Sequence, residues 1–239
     1  MADRDKQDDE PRGVAYYLDQ INKISGNRKC VYRGQAYARW RLESGAARRI
    51  WQSIAPNVQE LNELPEDALI YSQSDLIKIA RNMGFGVQDG RELKDLELLT
   101  ELQHFGAATC LLDFTENAFV ALYMACKDLD TVDGKVYVLP DANLEIVSVN
   151  TEIEDAIKRS SPVKFIPHMH GSAERRIIRQ AGVFIIGLDG QHDALKTVKI
   201  SSKHKADILT ELGKKYHFSD ETLFIDLSGF ANKVVLNTL

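Results

Sequence analysis

Apolar positions along the chain follow helical spacing first and alternate later. Tyr16, Tyr17, Leu18, Ile21 and Ile24 recur at helical spacing, and Ser25-Gly26-Asn27 stops the run. Residues 29–33 read as a short strand ending at Gly34. The spacing predicts helices over 42–54, through Ala46, Ala47, Ile50 and Trp51, and over 66–83, through Leu69, Ile70, Leu76, Ile77 and Ala80. Gly84-Phe85-Gly86 breaks the second, and a shorter helix over 92–102 follows through Leu93, Leu96, Leu99 and Leu102. A compact run over 107–112 leads into Asp113-Phe114-Thr115-Glu116. Phe119, Leu122, Tyr123 and Cys126 then stand at i, i+3, i+4 and i+7, the stripe of a buried helix. Its start is placed at Glu116, and Asp113 three residues earlier has the spacing of a capping box. Asp133-Gly134 turns the chain into a strand over 135–139, with further strands over 144–149, 183–187 and 197–200. Ser202 is placed as the cap of a last helix through Ile208, Leu209 and Leu212, ended by Gly213.

Helices dominate the first half and strands the second. The expected fold is a single mixed α+β domain over 13–239, with a mostly antiparallel or mixed sheet, behind a charged tail over 1–12 expected to be disordered. There is no regular βαβα alternation, glycine-rich fingerprint or internal repeat, which disfavours a doubly wound nucleotide-binding fold. No run approaches eighteen uninterrupted apolar residues and the first residues are charged, so neither a membrane span nor a secretory signal is expected, and the protein is placed in the cytoplasm. Cys30, Cys110 and Cys126 are widely spaced and form no C-x-x-C pair, which reads as three buried thiols.

Charge changes the picture locally. The net charge of −5 over 239 residues argues against a general nucleic-acid coat. Yet residues 28–51 hold seven Lys/Arg against Glu43 alone, while 57–103 hold ten Asp/Glu against four Lys/Arg. A second basic stretch includes Lys158, Arg159, Lys164, Arg175, Arg176 and Arg179. If the two basic stretches converge they form a positive cleft on an acidic body, suited to a phosphate-bearing ligand; a solvated basic face is the alternative. Tyr32, Tyr37, Trp40 and Trp51 among these arginines resemble a surface that stacks single-stranded nucleic acid. His168-x-His170 could bind a metal on a strand, but no third ligand stands at a suitable spacing, and no metal is expected.

Three separated blocks resemble the FRG family, named for a Phe/Tyr-Arg-Gly motif. The first is Val31-Tyr32-Arg33-Gly34-Gln35, with Trp40-Arg41-Leu42 and Arg48-Arg49. The second runs from Leu102-Gln103-His104-Phe105-Gly106 through Thr109, Leu111-Leu112-Asp113-Phe114-Thr115 and Asn117 to Ala121-Leu122-Tyr123. The third is Arg176-Ile177-Ile178-Arg179-Gln180-Ala181-Gly182-Val183-Phe184, and Thr222-Leu223-Phe224-Ile225-Asp226-Leu227 is similar to the family's C-terminal segment. Cys110 stands where the family usually has Arg, and Ile225 where it usually has Pro.

The order of these blocks resembles the layout of ADP-ribosyltransferases. That likeness implies a similar fold, NAD as substrate, and transfer of ADP-ribose to a macromolecule, protein or RNA, by a toxin-like or anti-phage effector with an antitoxin or chaperone as partner. It implies catalytic roles for Arg33, Asp113, Gln180 and His104. It implies ligand contacts from Tyr32, Gly34, Gln35, Phe114, Thr115, Asn117 and Arg176. Arg33 suits a pyrophosphate, Gly34 a close backbone approach, and a helix start at Glu116 an anion. Gln180 stands where those enzymes carry a Glu and cannot act as a base, so Asp113 or Glu174 would supply the carboxylate. Each residue also has a plain structural reading: Arg33 paired to a carboxylate, Asp113 as a helix cap, His104 as a core histidine. The competing function is a non-catalytic module that senses a nucleotide, RNA or protein in the same basic cleft; a third is an RNA-cleaving effector using His104 with Arg33.

Overall fold

The computed structural model describes residues 12–54, 66–167, 172–189 and 194–224. In the first half α1 (Val14–Ser25) precedes β1 (Cys30–Gln35), α2 (Gly45–Ile54) and α3 (Glu66–Asn82). A small hairpin of β2 (Val87–Gln88) and β3 (Arg91–Glu92) leads to α4 (Asp95–His104), β4 (Leu112–Thr115) and α5 (Ala118–Cys126). The second half runs β5 (Gly134–Pro140), β6 (Glu145–Ile146), α6 (Ile153–Ile157), β7 (Val163–Phe165), α7 (Ser172–Arg179), β8 (Gly182–Ile186), β9 (Lys196–Ile200), α8 (Ser202–Tyr216) and α9 (Asp220–Leu223). Seven strands form one sheet in the order β6-β7-β8-β4-β1-β5-β9. Its pairs are antiparallel except for β6 with β7. This is the α+β mixed sheet that the sequence led us to expect.

Alternation along the strands gives the sheet two apolar faces. Cys30, Val136, Val138 and Ile200 turn toward α1, α5 and α8. Phe165, Phe184 and Ile186 meet α3, α4 and α6. On the reverse face Val31, Leu112, Phe114, Tyr137, Leu139, Val183 and Ile185 gather with Leu42 and Leu188. Helix α5 is apolar on nearly every side and is buried on most of them: Ala121, Leu122 and Ala125 are fully enclosed, while Ala118, Phe119 and Met124 are half-buried. Its backbone lies directly on the sheet because the strand positions beneath it are glycines. A Cβ on Gly34 would land on the carbonyl of Ala121 and come within 2.7 Å of the Ala125 nitrogen, and one on Gly134 would strike the Ala125 carbonyl.

Several local expectations are corrected. Helix α5 starts at Ala118, not Glu116, and its cap is Asn117, whose side chain accepts the Phe119 N–H at 2.9 Å. Asp113 is no cap; it lies within β4 opposite Phe184. Gly213 does not end the last helix, which stays anchored by buried Ile208 and Leu212 and stops at His217 in the left-handed conformation. Its first residue is Ser202, and the cap position Ser201 makes no side-chain cap bond. The strand expected over 144–149 shortens to β6, and the helix expected over 92–102 runs over α4 instead. The expected tail over 1–12 lies, but for Arg12, outside the described residues, as do 225–239 and His168-x-His170.

A buried ion cluster ties the sheet together beside β7. Lys164, with 2% of its side chain exposed, lies 2.6 Å from Asp141 Oδ1 and 3.4 Å from Glu116 Oε1. Lys29 joins the same carboxylates from outside, 3.0 Å from Glu116 and 3.6 Å from Asp141. The second basic stretch is thus divided, one of its lysines serving the interior.

Candidate functional site

β1 pairs with β5 along its whole length, from Cys30 opposite Pro140 to Gln35 opposite Lys135. Its ladder with β4 holds the single pair Tyr32–Thr115. Beyond that pair the facing residues of β1 and β4 line a cavity of about 830 Å³, within the usual range for small-molecule sites. Further walls come from α4, α5, α7, β8 and the segment after β1. Arg33, His104, Asp113, Arg176 and Gln180 all border this one space.

Arg33 occupies the split. Its Nη1 donates to the Asp113 carbonyl at 2.7 Å, doing for β4 what a neighbouring strand would do, and stands 3.9 Å from Asp113 Oδ2. Its Nε is buried and has no partner. Burial lowers the pKa of the guanidinium, and the Asp113 charge opposes that shift. An arginine nevertheless stays protonated at working pH. The result is a partly enclosed cation with donor capacity to spare.

Asp113 presents a carboxylate with 68% of its side chain exposed. Gln103 Nε2 lies 2.9 Å from both carboxylate oxygens. The Gln103 carbonyl oxygen accepts the Thr109 hydroxyl, which fixes which way the amide points. Gln103 and Thr109 therefore orient the cavity's carboxylate, a role that sequence reasoning did not assign to them. Both stand in the second motif block, and their place beside Asp113 was the only signal available.

The remaining candidates divide. Thr115 donates its hydroxyl to the Gln180 carbonyl at 2.6 Å and accepts the Asn117 N–H at 3.0 Å, so it builds the β4–α5 turn. The Glu116 N–H goes to the Ala181 carbonyl at 2.9 Å, leaving no open cradle at that residue. Gln180 borders the cavity, but its Nε2 donates to the Leu223 carbonyl at 3.1 Å. Arg176 lies over the Phe224 ring, 4.9 Å from its centre. His104 ends α4 with its ring edge-on to Phe105. Phe114 is 3% exposed, and Tyr32 packs against the α5 cluster. Gln35 is buried; its Nε2 donates to the Arg41 carbonyl at 3.3 Å, while its Oε1 has no partner. Gly34 is explained by the close approach of α5 rather than by a ligand.

Cys30, Cys110 and Cys126 are buried free thiols, their pKa values raised chiefly by burial. Among the described residues no group of three His, Cys, Asp or Glu could hold a metal ion, and no helix is long and apolar enough to cross a membrane.

Neither the curated proteins nor the solved structures contain a match to the chain. The family model of the FRG domain matches residues 28–134. That segment carries Tyr32-Arg33-Gly34 on β1, Gln103 and His104 at the end of α4, and Asp113 on β4: the wall of the split where cation and carboxylate meet. Over that segment, somewhat under half of its length, the chain is similar to the FRG domain.

Proposed function

We propose that the cleft binds NAD and transfers its ADP-ribose to a macromolecular acceptor. The observation that carries this reading is the split between β1 and β4, where Arg33 and Asp113 face one cavity of dinucleotide scale. Arg33 would meet the pyrophosphate, for which a planar multi-donor cation is suited. Asp113, oriented by Gln103, would stabilise positive charge developing at the ribose C1′ as the bond to nicotinamide breaks. Nicotinamide leaves with the electron pair of that bond, an acceptor oxygen or nitrogen bonds to C1′, and the acceptor's proton passes to the Asp113 carboxylate. His104 and Arg176 border the same space and would contact the ligand's periphery.

The tether of Gln180 to Leu223 favours a second reading. With no Glu at that place, the cleft would bind the nucleotide as a sensor without turnover.

Incubation with labelled NAD separates the two, using wild type beside Arg33→Ala and Asp113→Asn. Turnover predicts nicotinamide release that both variants lose. A sensor predicts no release but a higher Tm. At a hundredfold excess over Kd the stabilisation is about 2.7 kcal/mol, a rise of roughly 5–10 °C for a chain of this size. If wild type neither consumes NAD nor is stabilised by it, both readings fall.

A further inference from the structure

At the mouth of the cavity the segment after β1 carries exposed Trp40 and Arg41, with exposed Arg39 next to them in the chain, and α2 adds exposed Arg48. Trp40 and Arg41 also line the cavity itself. Trp40 is 49% exposed, on a chain that leaves most of its large aromatics buried or half-buried. The loop that presents it is braced from several directions. Lys205, fully buried, donates to the Ala36 carbonyl at 2.6 Å. The Ala38 N–H donates to the Asp133 carbonyl at 2.6 Å, and Lys135 Nζ to the Trp40 carbonyl at 2.6 Å. Gln35 holds the Arg41 carbonyl from below. Tyr37 stands edge-on to the indole with ring centres 6.0 Å apart. A tryptophan left half in water costs apolar exposure, and here its backbone is held in place while it is exposed.

The charges on the segment itself are nearly of one sign, while Asp113 and Asp128 line the cavity beside it. Glu43, the sole acid among residues 28–51, has 16% of its side chain exposed and lies 3.9 Å from Arg48. Asp133, beneath the loop, is engaged by Lys199 at 2.7 Å and by the Ser202 N–H at 2.8 Å. Cations flanking a fixed aromatic face match a phosphate backbone with unpaired bases, because charge tracks the backbone while every base offers a π-face. An acidic peptide would use the cations and leave the indole unexplained. A duplex hides its base faces within its own stack.

We infer that the Trp40–arginine rim is a platform for single-stranded nucleic acid, and that the strand it seats is the acceptor for the transfer proposed above. The binding half stands by itself; the acceptor half rests on the proposed reaction.

The test uses the full chain and a fluorescein-labelled oligouridylate of about 12 nucleotides, within the usual footprint of such surfaces. Anisotropy is read without NAD. Wild type should bind with salt-dependent affinity. Trp40→Ala should weaken binding by roughly 5- to 150-fold, the range for one lost stacking contact. Arg39→Ala with Arg48→Ala should flatten the log–log salt slope by about 0.7 per cation removed from a phosphate. The substituted side chains are exposed, so denaturation midpoints should match wild type and exclude a folding artefact. Absence of binding, binding untouched by Trp40→Ala, or equal competition from polyglutamate or duplex would each overturn the platform. Nicotinamide release measured without oligonucleotide reports on the proposed reaction alone. Nucleic-acid binding with no ADP-ribose on the strand, in an enzyme that consumes NAD, would overturn the acceptor role.

Discussion

Gly34→Ala puts the last residue of the Tyr-Arg-Gly motif to a quantitative test. Gly34 does not occupy the left-handed region, so alanine's backbone preference is no obstacle there. What obstructs is helix α5. The added methyl would fall on the Ala121 carbonyl oxygen, 2.7 Å from the Ala125 nitrogen and 2.9 Å from the Ala121 carbonyl carbon. All three are backbone atoms and cannot swing aside as a side chain could. The helix must move away from β1, disturbing packing at Ala121, Leu122 and Ala125, which are fully buried. Overpacking of this kind costs typically 1–3 kcal/mol, and backbone obstruction places it at the upper end. Restricting the unfolded chain returns about 0.4–1 kcal/mol. The expected net loss is about 2–3 kcal/mol, or roughly 4–12 °C in Tm at this chain length. Urea denaturation followed by circular dichroism should show a lower midpoint with an unchanged slope. A variant with the wild-type midpoint and abolished ligand binding would refute the packing account and return Gly34 to the ligand.

Two further outcomes follow from buried charges. Asp189 accepts the N–H and the hydroxyl of Ser44, the hydroxyl at 3.1 Å, at the start of α2, yet burial raises its carboxyl from the ordinary 3.8 to about 6. A raised carboxyl favours the protonated form in the fold, so its contribution is full below about pH 4 and is lost as pH rises through 6; the difference is worth about 3 kcal/mol. Asp189→Asn should therefore gain on wild type as pH rises from about 4 to 6, and parallel stability–pH curves would contradict this. Lys164→Met strands Asp141 and Glu116 beside an apolar side chain. Because Lys29 remains and both carboxylates keep some solvent, the cost should sit near the low end for a broken buried pair, about 3 kcal/mol by denaturation. A loss below about 1 kcal/mol would mean that the cluster is effectively solvated.

Periodicity revealed the elements whose burial repeats regularly. The α5 stripe at Phe119, Leu122, Tyr123 and Cys126 was legible because the helix is apolar, and β1 because a short apolar run leads into Gly34, one residue before the strand's end at Gln35. Boundaries failed where tertiary partners decide them. Thr115 reads as the approach to a helix, but pairing with Tyr32 and bonding to Gln180 keep it in a strand. Gly213 reads as a stop, but burial of Leu212 holds the helix together across it. β7 escaped notice because its three residues centre on Lys164, a charge whose burial depends on carboxylates distant in sequence. The β2–β3 hairpin carries a local signal in Asp89-Gly90, a favoured tight-turn dipeptide with φ of 51° and 77°. At the site, the residue types Arg33 and Asp113 were legible. The bond from Gln103 to Asp113 was not, because ten residues and a turn separate them and only the folded chain brings the amide to both oxygens.

The strand order gives the family match a practical meaning. Residues 28–134 supply β1 and β4, which share one register pair, but the outer neighbours of those strands, β5 and β8, come almost entirely from later in the chain. A fragment cut at the matched boundaries would keep the recognisable motifs and lose the flanking ladders that hold them in register, baring both strands to intermolecular pairing. The unit of recognition is smaller than the unit of folding, and expression of the motif-bearing segment alone is the route to an aggregate.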